Sequence, residues 1–377
     1  MALLMNSPRY SEATGRGQMS KESKPGIGLD VGTAFLVTSR MKGDQIDFSK
    51  VRDVYYPMLR SDDSEVMLDT LGASYVSDDN HLYVIGEDAM MVANSIEGAR
   101  VRRPMTSGVI TRGEAQAGRM LELLLKRVLG EPARTGETCF YSVPAEPINA
   151  KQEGFFNTEY HTDKVNKILR GLGYEGKPVN EAACIAFDQL RKHKLTGVAL
   201  SFGAGMVNVA QLALSVPGRT FSIIGSGDYV DEKVADQFGM MASQVARVKE
   251  RGFKQEGMKD PVPINVIQDV GHADPIVDGI CLAYERMVDN VVRNMRVQFD
   301  GATIEEAIPI VLAGGTTLIA GFKELFERTI EKVGLPFEVS EVIHAENPFY
   351  AVARGAMFRA MVEEAKLAKK GGTPAAE

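Results

Sequence analysis

The sequence predicts an α/β chain of two lobes with a ligand cleft between them, and three observations support that expectation. Two glycine turns, Gly26-Ile-Gly-Leu-Asp-Val-Gly-Thr-Ala34 and Leu200-Ser-Phe-Gly-Ala-Gly-Met-Val-Asn208, each join a pair of apolar strands. A third, Gly314-Gly-Thr-Thr317, closes an apolar run and opens a helical pattern. Successive backbone N–H groups at such turns form a concave nest that holds phosphate oxygens without any basic side chain. Two nests that face each other grip a nucleotide tail from both sides, so one nest is expected from each lobe.

Taken in order, residues 1–24 are rich in Ser, Lys, Glu and Gly and read as a mobile tail. Apolar and β-branched runs predict strands over 25–31 and 34–39, joined by the first glycine turn as a hairpin. Residues 50–105 or so are expected to form a small outer subdomain. A helix follows over 114–129, where Met120, Leu121, Leu124, Leu125 and Val128 share one face. Further strands are predicted over 138–143, 197–202, 207–214, 220–224 and 308–313. Residues 228–300 or so should form the outer subdomain of the second half. Within them Pro275 suits the first turn of a long helix capped by Asp274, with Ile276, Ile280, Tyr284, Met287, Val288, Val291 and Val292 as its stripe. In the helix predicted over 322–333, Phe322, Leu325, Phe326, Ile330 and Val333 point inward and Gly334 is the stop. The resulting division is a first domain over 25–177, a second over 178–346, a last helix near 347–366 that returns to the first domain, and a tail over 367–377.

With 377 residues, 44% of them hydrophobic, the chain can bury two sizeable cores. Its formal net charge of -7 argues against nonspecific nucleic-acid binding, which needs a basic surface. Cys139, Cys184 and Cys281 lie far apart, so no zinc spacing or disulfide framework is read, and a reducing, cytoplasmic setting is expected. The five histidines are equally scattered, which leaves no metal cluster to expect. Residues 1–5 are too short for a signal segment, no run reaches transmembrane length, and membrane contact is not expected. Val31 stands where a dinucleotide fingerprint needs glycine, and no Gly-x-x-x-x-Gly-Lys-Ser/Thr stretch occurs. Gly225-Ser-Gly227 does not provide a nucleophile elbow.

The ordered set Gly-Leu-Asp-Val-Gly-Thr, Ser-Phe-Gly-Ala-Gly and Leu-Ala-Gly-Gly-Thr-Thr resembles the two phosphate motifs and the adenosine motif of the actin, heat-shock chaperone and sugar-kinase superfamily. Arg103-Pro-Met-Thr-Ser-Gly-Val-Ile110, Ser142-Val-Pro-Ala145, Gly227-Asp-Tyr-Val-Asp-Glu232 and Asn347-Pro-Phe-Tyr-Ala-Val-Ala-Arg-Gly-Ala356 narrow the resemblance to the MreB and MamK bacterial actins, over about residues 25–360. The resemblance implies an actin-like two-domain fold. Each domain would have a mixed sheet, flanking helices and a smaller outer subdomain, with ATP or ADP and Mg²⁺ in the cleft. It further implies an ATPase that polymerises head to tail with copies of itself in a nucleotide-dependent way. An actin-fold scaffold that binds ATP and recruits another protein without polymerising or turning over nucleotide is the alternative.

By the same resemblance, Asp30 would orient magnesium through its water shell, while the amides of Gly32, Thr33 and Ala34 meet the phosphates; the plain alternative for Asp30 is a turn carboxylate. Gly203, Ala204 and Gly205 would supply the opposing amides, with Met206 beside them. Lys249 and Glu250 match helix positions that contact ribose and adenine, unless they are a solvated charge run. Gly314, Gly315 and Thr316 would lie against the adenosine. Leu318 and Ile319 would wall the base or belong to the core. Glu181 corresponds to the residue that positions or deprotonates the attacking water; otherwise it is a helix N-terminal glutamate favoured by the macrodipole. Ser201 departs from the pattern, since the family carries an aspartate there that holds metal-bound water. Met206 and Val207 stand for threonines, and Asn208 for an acidic residue. Slow hydrolysis follows from the missing charge, and Ser201→Asp is expected to raise turnover.

Overall fold

The computed structural model describes residues 23–371 except 97, 112, 151–155, 253–259 and 268–273. Three antiparallel strands come first: β1 (Ser23–Val31), β2 (Phe35–Lys42) and β3 (Gln45–Arg52). Next, β4 (Tyr55–Leu59), α1 (Asp62–Leu71), β5 (Tyr75–Ser77), β6 (His81–Ile85) and α2 (Glu87–Asn94) build a separate three-stranded sheet ordered β4-β6-β5. A short hairpin of β7 (Met105–Thr106) and β8 (Val109–Ile110) leads to α3 (Ala117–Leu129). With α4 (Thr158–Gly171) between them, β9 (Glu137–Val143) and β10 (Tyr174–Asn180) add in parallel, so that the first large sheet is ordered β10-β9-β1-β2-β3.

After α5 (Glu181–Gln189) the plan repeats. The strands β11 (Gly197–Phe202), β12 (Met206–Ala213) and β13 (Val216–Ile224) are antiparallel neighbours. Three helices follow, α6 (Gly227–Phe238), α7 (Ala242–Arg251) and α8 (Pro275–Gln298). Then β14 (Ile308–Ala313) and β15 (Val339–His344), separated by α9 (Phe322–Val333), add in parallel to give β13-β12-β11-β14-β15. Strand for strand this is the first large sheet again. Finally α10 (Ala351–Gly371) packs on β1, β2 and β9.

The alternation that predicts the strands arises because each sheet is covered on both faces. On the first sheet Leu29, Leu36 and Tyr141 pack against the α3 stripe of Met120, Leu121, Leu124 and Leu125. On the second, Leu200 and Val209 meet the α8 stripe that runs from Ile280 to Met295. The strands over 197–202 and 308–313 and the helix over 322–333 match the expected bounds. The Asp274 side chain accepts from the Ile276 amide at 2.7 Å, and Gly334 ends α9 with φ 75°. Helix α3 starts three residues later than expected, because the Ala117 amide closes a turn on the Glu114 carbonyl at 3.0 Å.

Other spans differ. β1 already begins at Ser23, where Lys24 pairs with Asp44 at 3.3 Å, two residues inside the expected tail; residues 1–22 lie outside the described ones. α10 runs on to Gly371, past the expected end of the last helix; Glu364, near its end, holds Arg134 at 2.6 Å and the Thr138 amide at 2.8 Å. The long helix α8 was assigned to an outer subdomain, yet its stripe belongs to the core of the second large sheet. β3 escaped the sequence reading because solvent-facing Gln45, Ser49 and Lys50 obscure its period.

The lobes meet through α5 and α10. A small-residue core of Ala182, Ala186, Ala199, Ala353's neighbours Ala351 and Ala356, and Val311 lets the helices approach closely. A methyl group at Gly355 would run into the Cys184 carbonyl, and one at Gly28 into the Ala353 carbonyl. Arg354 clamps Asp188 through two bonds of 2.6 and 2.7 Å, with both side chains largely buried. Gly355→Ala should therefore lower unfolding free energy by about 3 kcal/mol or more in a denaturant titration, as overpacking against rigid backbone does. Gly171→Ala, which meets open space, should stay within about 0.5 kcal/mol.

Candidate functional site

Both glycine turns sit at the same end of their sheets, where β1 passes into β2 and β11 passes into β12. They border one cleft of about 660 Å³ between the lobes. Asp30, Gly32, Thr33 and Ala34 line it from the first turn, and Ser201, Gly203, Ala204, Gly205 and Met206 from the second. Glu181, Lys249, Glu250, Gly314, Gly315, Thr316 and Leu318 complete the set singled out from the sequence. Close approach explains two of the glycines. At Gly205 a side chain would press on Ser107, and at Gly314, with φ 102°, it would press on Phe202.

The second turn is braced from behind. The carbonyls of Gly203, Ala204 and Gly205 accept from Gly227 at 3.2 Å, Asp228 at 2.8 Å and Gly225 at 3.0 Å, at the start of α6. The Thr316 hydroxyl adds a 2.7 Å bond to the Gly203 carbonyl. Gly203 differs from expectation in one respect: its amide donates to the Met206 carbonyl at 3.0 Å and closes the hairpin. Among the described residues the amides of Ala204 and Gly205 have no such acceptor. On the first turn the Thr33 hydroxyl accepts from the Gly108 amide at 3.0 Å, which brings the β7–β8 hairpin against both turns.

Two carboxylates occupy the floor. Asp30, at the end of β1 rather than in the turn itself, accepts from the Ser142 hydroxyl at 2.9 Å. Glu181 opens α5, capped by Asn180, and its two oxygens accept from the Ser201 hydroxyl at 2.6 Å and the Asn208 amide at 2.9 Å. Ser201 and Asn208 face each other across β11 and β12, so the strand register places both donors on one carboxylate. Burial raises the pKa of Glu181 well above the ordinary value, and the charge of Asp30 raises it further. Burial also raises Asp30, partly offset by the Ser142 hydrogen bond. In the ligand-free cleft a carboxylate at position 201 would sit against Glu181 and add like-charge repulsion.

The other charges are largely paired. Lys249 bonds Asp231 at 2.8 Å and the Gly227 carbonyl at 3.1 Å, so it is a buried tie and no solvated charge run. Arg103 reaches across to Asp228 at 2.8 Å, and Arg52 approaches Glu250 at 3.8 Å. Leu318 is 59% exposed at the rim of the cleft, whereas Ile319 packs on the core. Phe35, Lys50, Arg52, Phe349 and Tyr350 also line the cleft and were not singled out. The period-two pattern of β3 would have found Lys50 and Arg52 had that strand been recognised, because they pair with Val37 and Phe35.

The family described as Volactin matches residues 26–360. The chain belongs to the Volactin family. No curated protein matches this Volactin sequence. By structure it is similar to the "MamK double helical filament", at 18% identity and TM-score 0.65 over 89% of this chain and 98% of that one. It is also similar to MreB 5 of Spiroplasma citri solved with AMPPNP, at 17% identity and TM-score 0.60 over 93% of this chain and 99% of that one. The same protein bound to ADP gives 17% identity and TM-score 0.59 over 93% and 100%. This Volactin chain therefore has the actin-like two-domain fold.

Because folding raises the Glu181 pKa, the neutral form stabilises the protein, and that contribution fades as pH climbs through the folded value. The ligand-free protein should lose melting temperature between about pH 5 and about pH 8. Glu181→Gln should melt above the parent at the upper end and converge with it at the lower, as read by scanning calorimetry.

Proposed function

We propose that the protein binds ATP and ADP with magnesium in this cleft, hydrolyses ATP slowly, and polymerises head to tail into filaments in response to nucleotide. One observation carries this reading: topologically equal glycine turns from two sheets converge on a cleft that also holds Gly314 and Gly315, and backbone amides of such turns form anion nests. Solved relatives of like fold bound to ADP or AMPPNP support it.

The residues fit magnesium. Two neighbouring buried carboxylates, each with a raised pKa, are the environment that a divalent cation relieves. Asp30 would hold it through water, and among the described residues no cluster of three or more His, Cys, Asp or Glu competes for it. The ion would offset phosphate charge as the bond breaks. Ala204 and Gly205 amides would face the phosphates opposite Gly32, Thr33 and Ala34, while Gly314, Gly315, Thr316 and Leu318 lie beside the adenosine and Glu250 beside the ribose.

Glu181 would take the proton of the attacking water as its oxygen bonds to the terminal phosphorus and the bridging oxygen departs with ADP. Ser201 and Asn208 hold its two oxygens in place and act as positioning residues. Slow turnover fits a second turn that brings no carboxylate of its own. Ser201→Ala would leave a buried acceptor unsatisfied, and phosphate release should fall about tenfold, for a loss of about 1–3 kcal/mol.

Complementary patches support head-to-tail contact between copies. α1 exposes Val66 and Leu71, with Leu59 before it, among Asp62, Asp63 and Glu65. At the end of β12, the turn to β13 exposes Leu214 and Val216 beside the basic Arg191–Lys194 segment. Such a contact is heterologous and does not close, which makes filaments. A relative solved as a double helical filament is in keeping with it. The free, buried cysteines suit a cytoplasmic setting, and among the described residues no helix is long and apolar enough to cross a membrane.

Sedimentation and negative-stain imaging with MgATP test the reading: the protein should pellet as filaments, and Leu214→Asp should stay in the supernatant with nucleotide affinity intact. Persistent monomers at high concentration would sink the filament; nucleotide binding without polymer or turnover would assign the scaffold role instead.

A further inference from the structure

Four cations line the cleft, Lys50, Arg52, Arg103 and Lys249. Arg103 and Lys249 each hold a carboxylate at 2.8 Å, and Arg52 lies 3.8 Å from Glu250. Of these four, among the described residues, Lys50 alone has no carboxylate within ion-pair distance. It is not loose, however. Its ammonium stands 5.8 Å from the centre of the Phe35 ring and 5.1 Å from that of Phe349, and the two rings meet edge to face at 5.3 Å. Aromatic faces attract a cation without satisfying its three N–H donors, so the charge is held in position while its hydrogen-bonding capacity stays open.

The backbone fixes where that charge points. β2 leaves directly from the first glycine turn, and Phe35 is the residue after Ala34. On β3, Lys50 opposes Val37 of β2 and shares its cleft-lining face, two pairs further from the turn than Phe35 and Arg52. Phe349 comes from the segment before α10 and lies against Gly315, so the rings that hold the ammonium join the first turn to the third. The charge thus stands on the wall between the two places where a nucleotide's phosphates and its adenosine would lie.

We propose that Lys50 is an anion-contacting residue of the cleft and grips the polyphosphate tail of the bound nucleotide, an assignment that rests on the nucleotide reading above. The backbone nests supply geometry but only partial charges, and three of the four cations are already held by the acids Asp228, Asp231 and Glu250. An unpaired ammonium offsets the repulsion that these acids exert on a polyanion. The apolar stem of Lys50 against Phe35 and Phe349 makes methionine the fitting replacement, since it retains the packing and removes only the charge.

The test is calorimetric titration of the parent, Lys50→Met, Lys50→Arg and Lys42→Met with MgATP, MgADP and tripolyphosphate at two salt concentrations. Lys42 sits on the same sheet, pairs with Asp47 at 2.6 Å and serves as the control outside the cleft. Lys50→Met should weaken MgATP and tripolyphosphate about tenfold and flatten their salt dependence, and should weaken MgADP less, by the lost attraction of one charge. Lys50→Arg should stay within about threefold, and Lys42→Met should match the parent. Unchanged affinity and salt dependence in Lys50→Met would overturn the assignment, and so would a parent that binds none of the three anions. A parent that binds tripolyphosphate through Lys50 but neither nucleotide would uphold the assignment and refute the nucleotide reading.

Discussion

The crossing of α5 with α10 is the constraint on which the rest of the molecule depends. Backbone meets backbone there, at Gly355 over the Cys184 carbonyl, and on the sheet side at Gly28 beneath Ala353. Interiors packed to this density transmit displacement instead of absorbing it. Glu181 is the first residue of α5, and Phe349 and Tyr350 immediately precede α10, so the same two helices that fix the lobes also carry cleft residues. The Arg354–Asp188 clamp lies in this crossing and ties the two helices together. The glycine turns, each at the end of a strand that these helices cover, inherit their separation from it.

The electrostatics of the cleft follow from the same geometry. Acids brought together by folding would repel one another in water-poor surroundings, and the structure answers by pairing across the gap and by hydrogen bonding on the floor. Arg103 with Asp228 and Arg52 with Glu250 each link one lobe to the other, so closure of the mouth is favoured by charge. On the floor Glu181 receives two donors and Asp30 one, yet burial still raises the pKa of both, and the charge of Asp30 raises Glu181 further. Binding a polyanion with its metal would replace a poorly balanced field with a compensated one, and differential stabilisation of that kind shifts a population between open and closed forms.

Much of this was legible in the sequence because function here is written in the backbone. Glycines at 32, 205 and 314 mark where chain must approach chain, and residue identity records that directly. The duplicated hairpin likewise announced two sheets. Less legible were effects that need register. Nothing local says that Ser201 and Asn208 fall opposite each other and share Glu181, or that Lys50 lies next to Phe35 in space; the first needs the β11–β12 pairing and the second needs β3, whose polar face hides its period. The membership of α8 in the second core was also hidden. An apolar stripe tells that a helix packs, and only the fold tells against what.

One further consequence concerns synthesis. The face of the first sheet that α5 and α10 cover includes Ser39, whose hydroxyl binds the Ala353 carbonyl across a separation of 314 residues. The helix that seals the first lobe thus leaves the ribosome some 314 residues after the strand it covers, whereas the second sheet receives α5, α8 and α9 from segments already translated or close by. The C-terminal lobe can mature while the earlier one still waits for its cover. Contacts of such long range slow folding and leave an apolar surface bare in the meantime, so the nascent N-terminal lobe is the part of this protein that most needs shielding from aggregation.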